Sequence, residues 1–188
     1  MLNLIDSFEC LKKLLVAKYI VIKSESDLGL MGFPYFLKVN ISGHKVEKGA
    51  VKKCNNPEQA KENLQLLRKK FPTDAILVQE SIDGIEMIIG VKQDKAFGKL
   101  LLLGFGGTNV EVMKDITFLT APAEAKEIKK ALQSLKLYPA LVSREKYAVD
   151  KFMKLAENVS RLNIKEADLN PVILNSTNAI IVDARIEA

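Results

Sequence analysis

Tryptophan is absent from this chain, histidine occurs once and cysteine twice. Cys10 and Cys54 lack CxxC spacing, and two thiols build no disulfide framework. With a single histidine beside them, a zinc site of the ordinary type is not expected. Only 8 Phe and 4 Tyr are present, too few for an aromatic platform that stacks single-stranded nucleic acid. Long apolar runs are missing too. Purely aliphatic stretches, such as Leu100–Leu103, stop at four residues, far short of the ~20 residues that cross a bilayer. Met1-Leu-Asn-Leu-Ile-Asp6 has neither the basic start nor the apolar centre of a secretion signal. These absences predict a cytoplasmic protein with no membrane contact.

What remains is globular. Apolar residues make up 48% and charged residues 27% of 188, which excludes a largely disordered chain. The length suits one sizeable domain or two lobes sharing a site. The net charge is +5 and the pI about 9.1. The lysines and arginines are spread along the chain with no dense block, so the charge reads as a solvated surface and nucleic acid is an unlikely partner.

The patterning predicts an α+β fold. Asp6–Lys18 reads as a helix with Asp6 as cap, and Phe8, Leu11, Leu14 and Leu15 on one face. Tyr19–Ile22, Tyr35–Asn40 and Ala50–Cys54 read as strands, with polar connections at 24–32 and 41–49. Asn56-Pro57 opens a helix that runs to Lys70. Ala75–Glu80, Ile85–Lys92, Lys99–Gly104 and Ile116–Leu119 are strands, and Gly104–Thr108 is a glycine-rich loop. Helices at Ala123–Leu135 and Lys146–Arg161 flank a turn at Leu137–Ser143. The chain closes with strand Ile164–Asp168, a turn at Leu169-Asn-Pro171, and a hairpin of Val172–Leu174 with Ala179–Ala184. Strands and helices do not alternate strictly, so a parallel doubly wound sheet is not expected.

Several residues stand out against this pattern. Lys38 sits inside an apolar strand, where its ammonium either faces water at an edge or contacts a phosphate. His44 lies in the polar loop Ser42-Gly-His-Lys45, and an imidazole there could take a phosphoryl group. The backbone N–H groups at Gly49 and Ala50 could cradle phosphate oxygens. Gly104-Phe-Gly-Gly107 is neither a P-loop nor GxGxxG, and reads most simply as a tight turn. Glu80 and Glu86 lie six residues apart across a short connection, close enough to face one cleft. Glu166, Asp168 and Asn170 alternate and so share a face. Asp183 stands inside the apolar strand Ile180–Ile186, where an acid needs a partner. If the last hairpin folds back, Asn170 meets Asp183, and one amide oxygen with one carboxylate suits Mg²⁺ held jointly with nucleotide phosphates.

Six blocks together resemble the ATP-grasp β subunit of ADP-forming acetyl-CoA synthetase, a relative of succinyl-CoA synthetase. They are Phe33–Val39, His44–Val51, Ile76–Gly98, Leu101–Pro122, Lys165–Val172 and Ile180–Ile186, in the family's order. The resemblance implies an ATP-grasp fold over 1–188 with two lobes and the nucleotide cleft between them. The lid would be about 19–79, and the larger lobe about 1–18 with 80–188. It further implies that Lys38 and the backbone of Gly49, Ala50 and Val51 lie on the phosphates of ATP or ADP. Glu80 would be the hinge residue near adenine and ribose, Glu86 a second nucleotide-side carboxylate, and Asn170 with Asp183 the Mg²⁺ pair. His44 would relay a phosphoryl group between a phosphohistidine on a CoA-binding α subunit and the nucleotide. The loop departs from the family pattern: Ala50 replaces a second glycine and Lys48 an apolar residue. That departure motivates an alternative, a degenerate non-catalytic paralogue acting as a regulatory or scaffold subunit.

Overall fold

The structure is a computed structural model that describes residues 1–43, 45–107, 114–143 and 147–187. The chain divides into two compact units. The smaller comprises Asn3–Asp6 and Ala17–Ile82; the larger comprises Met1–Leu2, Ser7–Val16 and Asp83–Ala188.

The smaller unit is a four-stranded antiparallel sheet backed by one long helix. Its strands are β1 (Tyr19–Val21), β2 (Tyr35–Val39), β3 (Val51–Cys54) and β4 (Ile76–Glu80), in the order β1-β4-β2-β3. The helix α2 (Pro57–Lys70) starts as its sequence dictates: Asn56 accepts from the N–H of Gln59, and Pro57 takes the first position, where no N–H is needed. Ala60, Leu64 and Leu67 on its inner face join Tyr35, Leu37, Val39, Cys54, Ile76 and Val78 in one apolar core. Strand residues alternate between faces. Tyr35, Leu37 and Val39 therefore point toward α2, while Phe36 and Lys38 stand on the other face.

The larger unit is a six-stranded antiparallel sheet. Its strands are β5 (Ile85–Asp94), β6 (Gly98–Phe105), β7 (Ile116–Thr120), β8 (Glu166–Leu174), β9 (Ala179–Ile181) and β10 (Arg185–Glu187). The order is β10-β8-β5-β6-β7, with β9 also paired to β8. Helices α3 (Ala125–Gln133) and α5 (Val149–Ser160) bury Ile128, Leu132, Phe152, Ala156 and Val159, with the short α4 (Tyr138–Val142) between them in sequence. Met87, Ile89, Val91, Leu101, Leu103, Ala167 and Leu169 are buried at alternate strand positions. Glu86, Lys92, Asp168 and Asn170 occupy the other face. Asp115 is a buried acid with a purpose: its two carboxylate oxygens accept from the N–H groups of Lys136 and Leu137, both at 2.9 Å. Lys99 caps the end of α5 by donating to the carbonyls of Ser160 and Leu162, and burial pulls its pKa down.

Four expectations are corrected. The first helix, α1, spans Leu4–Cys10 rather than reaching Lys18, and its cap is Asn3, whose Oδ1 accepts from the N–H of Asp6 at 2.9 Å. The following residues make strand contacts instead: Leu15 accepts from the N–H of Ile181 and Lys18 from that of Glu80. The segment around Pro139 is the helix α4, which tolerates a proline in its first turn. Leu169-Asn-Pro171 is no turn; β8 runs unbroken through it. Pro171 has no N–H to give, but its carbonyl accepts from Val182, and the β5 register shifts between Met87 and Ile89 beside it. The last strand is split into β9 and β10 by a break at 182–184. Among the described residues, no helix is long and apolar enough to cross a membrane.

Tyr35 is fully buried, its hydroxyl donates to the carbonyl of Leu28, and burial raises its pKa to about 12. A phenol raised above its unfolded value of about 10 favours folding up to that pH and ceases to do so as pH climbs through the folded value. Stability should therefore fall between about pH 10 and 12. Absorbance titration of tyrosinate should show one late phase that Tyr35→Phe removes, and unfolding in urea should lose that part of its alkaline pH dependence.

Candidate functional site

The larger unit gathers its acids on one sheet face through register. In the pairing of β8 with β9, Val172 opposes Ile181; in that of β8 with β10, Asp168 opposes Arg185. The two registers are continuous: each pair of residue numbers gives the same sum, so the interrupted strand has not slipped across its break. The N–H of Val182 donates to Pro171 in the same frame. Asn170 consequently lies across from Asp183, on the face that also carries the Asp168–Arg185 ion pair. One oxygen of Asp183 accepts from the N–H of Ala184 at 2.9 Å, which fixes the carboxylate to its own turn.

Two glycines of the glycine-rich segment come close to Asn170 and to Glu86. The N–H of Gly106 donates to the carbonyl of Glu86 at 2.7 Å. A Cβ on Gly106 would stand 3.2 Å from Asn170 Oδ1, and one on Gly107 would stand 2.4 Å from Glu86 Oε2. Gly107 also has φ +87°, a conformation open to glycine and costly for other residues. Two glycines thus let the backbone run between the Glu86 carboxylate and the Asn170 amide. The tight turn expected here brings Gly106 and Gly107 against Asn170 and Glu86, and its GG pair was the available signal. Residues 108–113 lie outside the described residues.

In the smaller unit, Lys38 is 6% exposed and its ammonium sits 6.0 Å from the Phe36 ring centroid. Its Cα partners are Val51 on β3 and Leu77 on β4. Phe36 pairs with Gln79, and Tyr35 with Glu80. Lys38 and Gln79 therefore share a face, while Glu80 belongs with Tyr35 on the face toward α2. One Glu80 oxygen already accepts from the N–H of Lys18 at 2.7 Å. Gln79 was not among the residues expected from sequence, because only the pairing of β2 with β4 aligns it with Lys38.

His44 lies outside the described residues. Its loop is bracketed by Gly43 at φ +83° and Gly49 at φ +65°. Lys48 donates from Nζ to the carbonyl of Ser42, which draws the two sides of the loop together. The N–H groups of Gly49 and Ala50 donate to the carbonyls of Val46 and Lys45, both at 2.8 Å. The amides expected on phosphates thus serve the turn in this structure. A surface cavity of about 470 Å³ lined by Gly49, Lys52, Leu66, Leu67, Lys69 and Lys70 opens on the α2 side, away from Lys38 and Gln79.

The donors fit a hard cation that brings ligands with it. Asn170 and Asp183 offer an amide oxygen and a carboxylate, and among the described residues no group of three or more His, Cys, Asp or Glu is placed to hold a metal. Mg²⁺ keeps waters and takes phosphate oxygens, so one or two protein oxygens suffice.

Comparison with known proteins agrees with this architecture. Residues 23–188 match the family described as an ATP-grasp domain. The chain is 32% identical over 168 residues to acetate–CoA ligase [ADP-forming] II of Archaeoglobus fulgidus, covering 83% of this chain and 25% of that one. It is 35% identical over 141 residues to the β subunit of acetate–CoA ligase [ADP-forming] II of Pyrococcus furiosus, covering 69% of this chain and 60% of that subunit. The chain therefore spans about a quarter and about three fifths, respectively, of these relatives. Acetyl-coenzyme A synthetase 1 of Candidatus Korarchaeum cryptofilum, solved with coenzyme A and Mg-AMPPCP, superposes with a TM-score of 0.75 at 29% identity, covering 92% of this chain and 84% of that one. In that structure the phosphohistidine segment points towards the nucleotide-binding site. The α+β, ATP-grasp fold expected from the resemblance is the fold found, and its sheets are antiparallel.

Gly107→Ala should destabilise the chain by about 1 kcal/mol or more, because the residue has positive φ and the new methyl meets the Glu86 carboxylate. Gly98 also has positive φ but has nothing within 4 Å of a Cβ, so Gly98→Ala should cost less. Urea unfolding of the two variants side by side measures the difference.

Proposed function

This chain belongs to the ATP-grasp family, and from that premise we propose that it is the nucleotide-binding part of an ADP-forming acyl-CoA synthetase. The observation that carries the reading is Asn170 facing Asp183 beside a glycine pair that accommodates Glu86. Acyl-CoA, ADP and phosphate would be converted to free acid, ATP and CoA. The relatives that bear these names are ADP-forming acyl-CoA ligases, and the Korarchaeum enzyme binds a magnesium nucleotide analogue.

The roles follow from the chemistry of each group. Phosphoryl transfer asks the protein mainly for positioning and charge neutralisation. Lys38 would place its ammonium on the nucleotide phosphates. Asn170 and Asp183 would hold Mg²⁺, and that ion would neutralise phosphate charge. Glu86 would accept from a ribose hydroxyl, and the end of β4 at Glu80 would lie at the base. The backbone at Gly49, Ala50 and Val51 would cover the phosphates, with the Gly49 and Ala50 amides released from their turn bonds. His44 would take the phosphoryl group from a phosphohistidine on a CoA-binding α partner, through its imidazole nitrogen, and pass it to ADP. The setting would be the cytoplasm.

A second reading has one observation in its favour. The Gly49 and Ala50 amides are committed within their turn, and Lys48 ties that loop to Ser42. A loop held this way suits a nucleotide-binding subunit that regulates or scaffolds without turnover.

Titration calorimetry with Mg-ADP tests the nucleotide reading. Lys38→Ala and Asp183→Ala should each weaken binding roughly tenfold or more, since hydrogen bonds to charged groups are worth about 1.5–3 kcal/mol. Unchanged affinity in both variants would overturn it. Phosphoryl transfer from a phosphorylated α partner to ADP separates the two readings: His44→Asn should abolish transfer while Mg-ADP affinity stays the same. No transfer by the unmodified chain would favour the regulatory reading.

A further inference from the structure

Gln79 is the residue in the smaller unit whose position is least explained by packing. It is 1% exposed, and among the described residues neither Nε2 nor Oε1 has a hydrogen-bond partner. Buried amides are paired in nearly all proteins, because the alternative loses the hydrogen bonds that water would supply. An apolar side chain would serve the sheet better at this position. Gln79 does not point into the apolar core formed with α2. Its neighbours on the adjoining strands are Tyr19 on β1 and Phe36 on β2, both half-buried, and Lys38 lies one strand-period along from Phe36 on the same face. That face therefore carries the Lys38 cation with the fully buried Leu77 beside it, two flat rings and, at its end, an amide with a donor and an acceptor unspent.

We infer that Gln79 reads the base of the nucleotide and selects adenine over guanine. The inference rests on the nucleotide reading above and names the base that site takes. A purine laid along the face with its phosphates toward Lys38 brings its base edge to the end of β4. Glutamine matches adenine by two bonds: Oε1 accepts from the 6-amino group and Nε2 donates to N7. Guanine offers two acceptors, O6 and N7, on that edge. It could engage Nε2 alone and would set Oε1 against an acceptor. The rings of Tyr19 and Phe36 supply stacking, which does not distinguish the bases, so the discrimination falls to the amide. Glu80 does not compete for this role, because the register turns it to the other face and Lys18 engages its carboxylate.

Calorimetric titration of the full chain with Mg-ADP, Mg-GDP and the Mg complex of 7-deaza-ADP tests this. The unmodified chain should bind ADP roughly 10- to 100-fold more tightly than GDP. It should bind 7-deaza-ADP, which lacks the N7 acceptor, more weakly than ADP. Gln79→Leu should bring the ADP and GDP affinities to within about threefold of each other by removing that bidentate contact. It should also raise the thermal midpoint of the nucleotide-free chain, since an unpaired amide is replaced by an apolar group of similar size. An ADP/GDP ratio near one in the unmodified chain, equal binding of ADP and 7-deaza-ADP, or an unchanged ratio in Gln79→Leu would each overturn the inference while leaving the nucleotide reading intact. Binding of none of the three nucleotides would overturn the nucleotide reading and the inference with it.

Discussion

The strand pairing between β8 and the last two strands is the constraint on which the larger unit's site depends. A slip of one residue in an antiparallel pair sends every side chain to the opposite face. Here the same register holds on both sides of the break at 182–184, anchored by Val172 against Ile181 and by Asp168 against Arg185. Asn170 and Asp183 are set opposite each other by that frame and need no contact of their own to stay there. The Asn175 turn that starts the hairpin is itself fixed, with Asn175 Oδ1 accepting from the N–H groups of Thr177 and Asn178. The placement of two metal-competent oxygens is thus a product of backbone hydrogen bonds, among them the one from the N–H of Val182 to the carbonyl of Pro171.

Both units use period-two alternation to separate structural from chemical work. In the smaller unit Tyr35, Leu37, Val39 and Val78 build the core with α2, while Phe36, Lys38 and Gln79 take the other face. In the larger unit Ile89, Val91, Ala167 and Leu169 are buried, while Glu86, Asp168 and Asn170 alternate with them. A strand that is apolar at every second position can carry a lysine or an acid at the others without disturbing the core. Glycine appears where backbone must come close to a side chain. Gly106 and Gly107 leave room for the Asn170 amide and the Glu86 carboxylate, and a methyl at either would intrude.

Much of this was legible in the sequence, for reasons that can be stated. Lys38 inside Tyr35–Asn40 and Asp183 inside Ile180–Ile186 announce themselves as polar groups in apolar strands. Asn170 and Asp183 could be paired because a hairpin turn separates them at short range. The helix after Asn56-Pro57 follows from capping chemistry alone. What was hidden is non-local. Gln79 gains its meaning only when β4 pairs with β2, across a long loop and α2. The amphipathic stretch after Cys10 looks helical, yet Leu15 and Lys18 are drawn into hydrogen bonds with Ile181 and Glu80, partners that local propensity cannot foresee. Leu169-Asn-Pro171 has the composition of a turn, but a neighbouring bulge and the accepting carbonyl of Pro171 keep it in the sheet.

The central proposal is that Lys38 and Gln79 on the smaller unit contact a nucleotide, and that Asn170 and Asp183 on the larger hold its Mg²⁺ beside Glu86. Hydrogen–deuterium exchange of the full chain, with Mg-ADP against Mg²⁺ alone, measures this directly. The account predicts slowed exchange in both places, at the end of β4 with the residues just after it and around Gly106 and Asp183. Protection confined to the basic cavity lined by Lys52, Lys69 and Lys70, or absent altogether at saturating nucleotide, would contradict it.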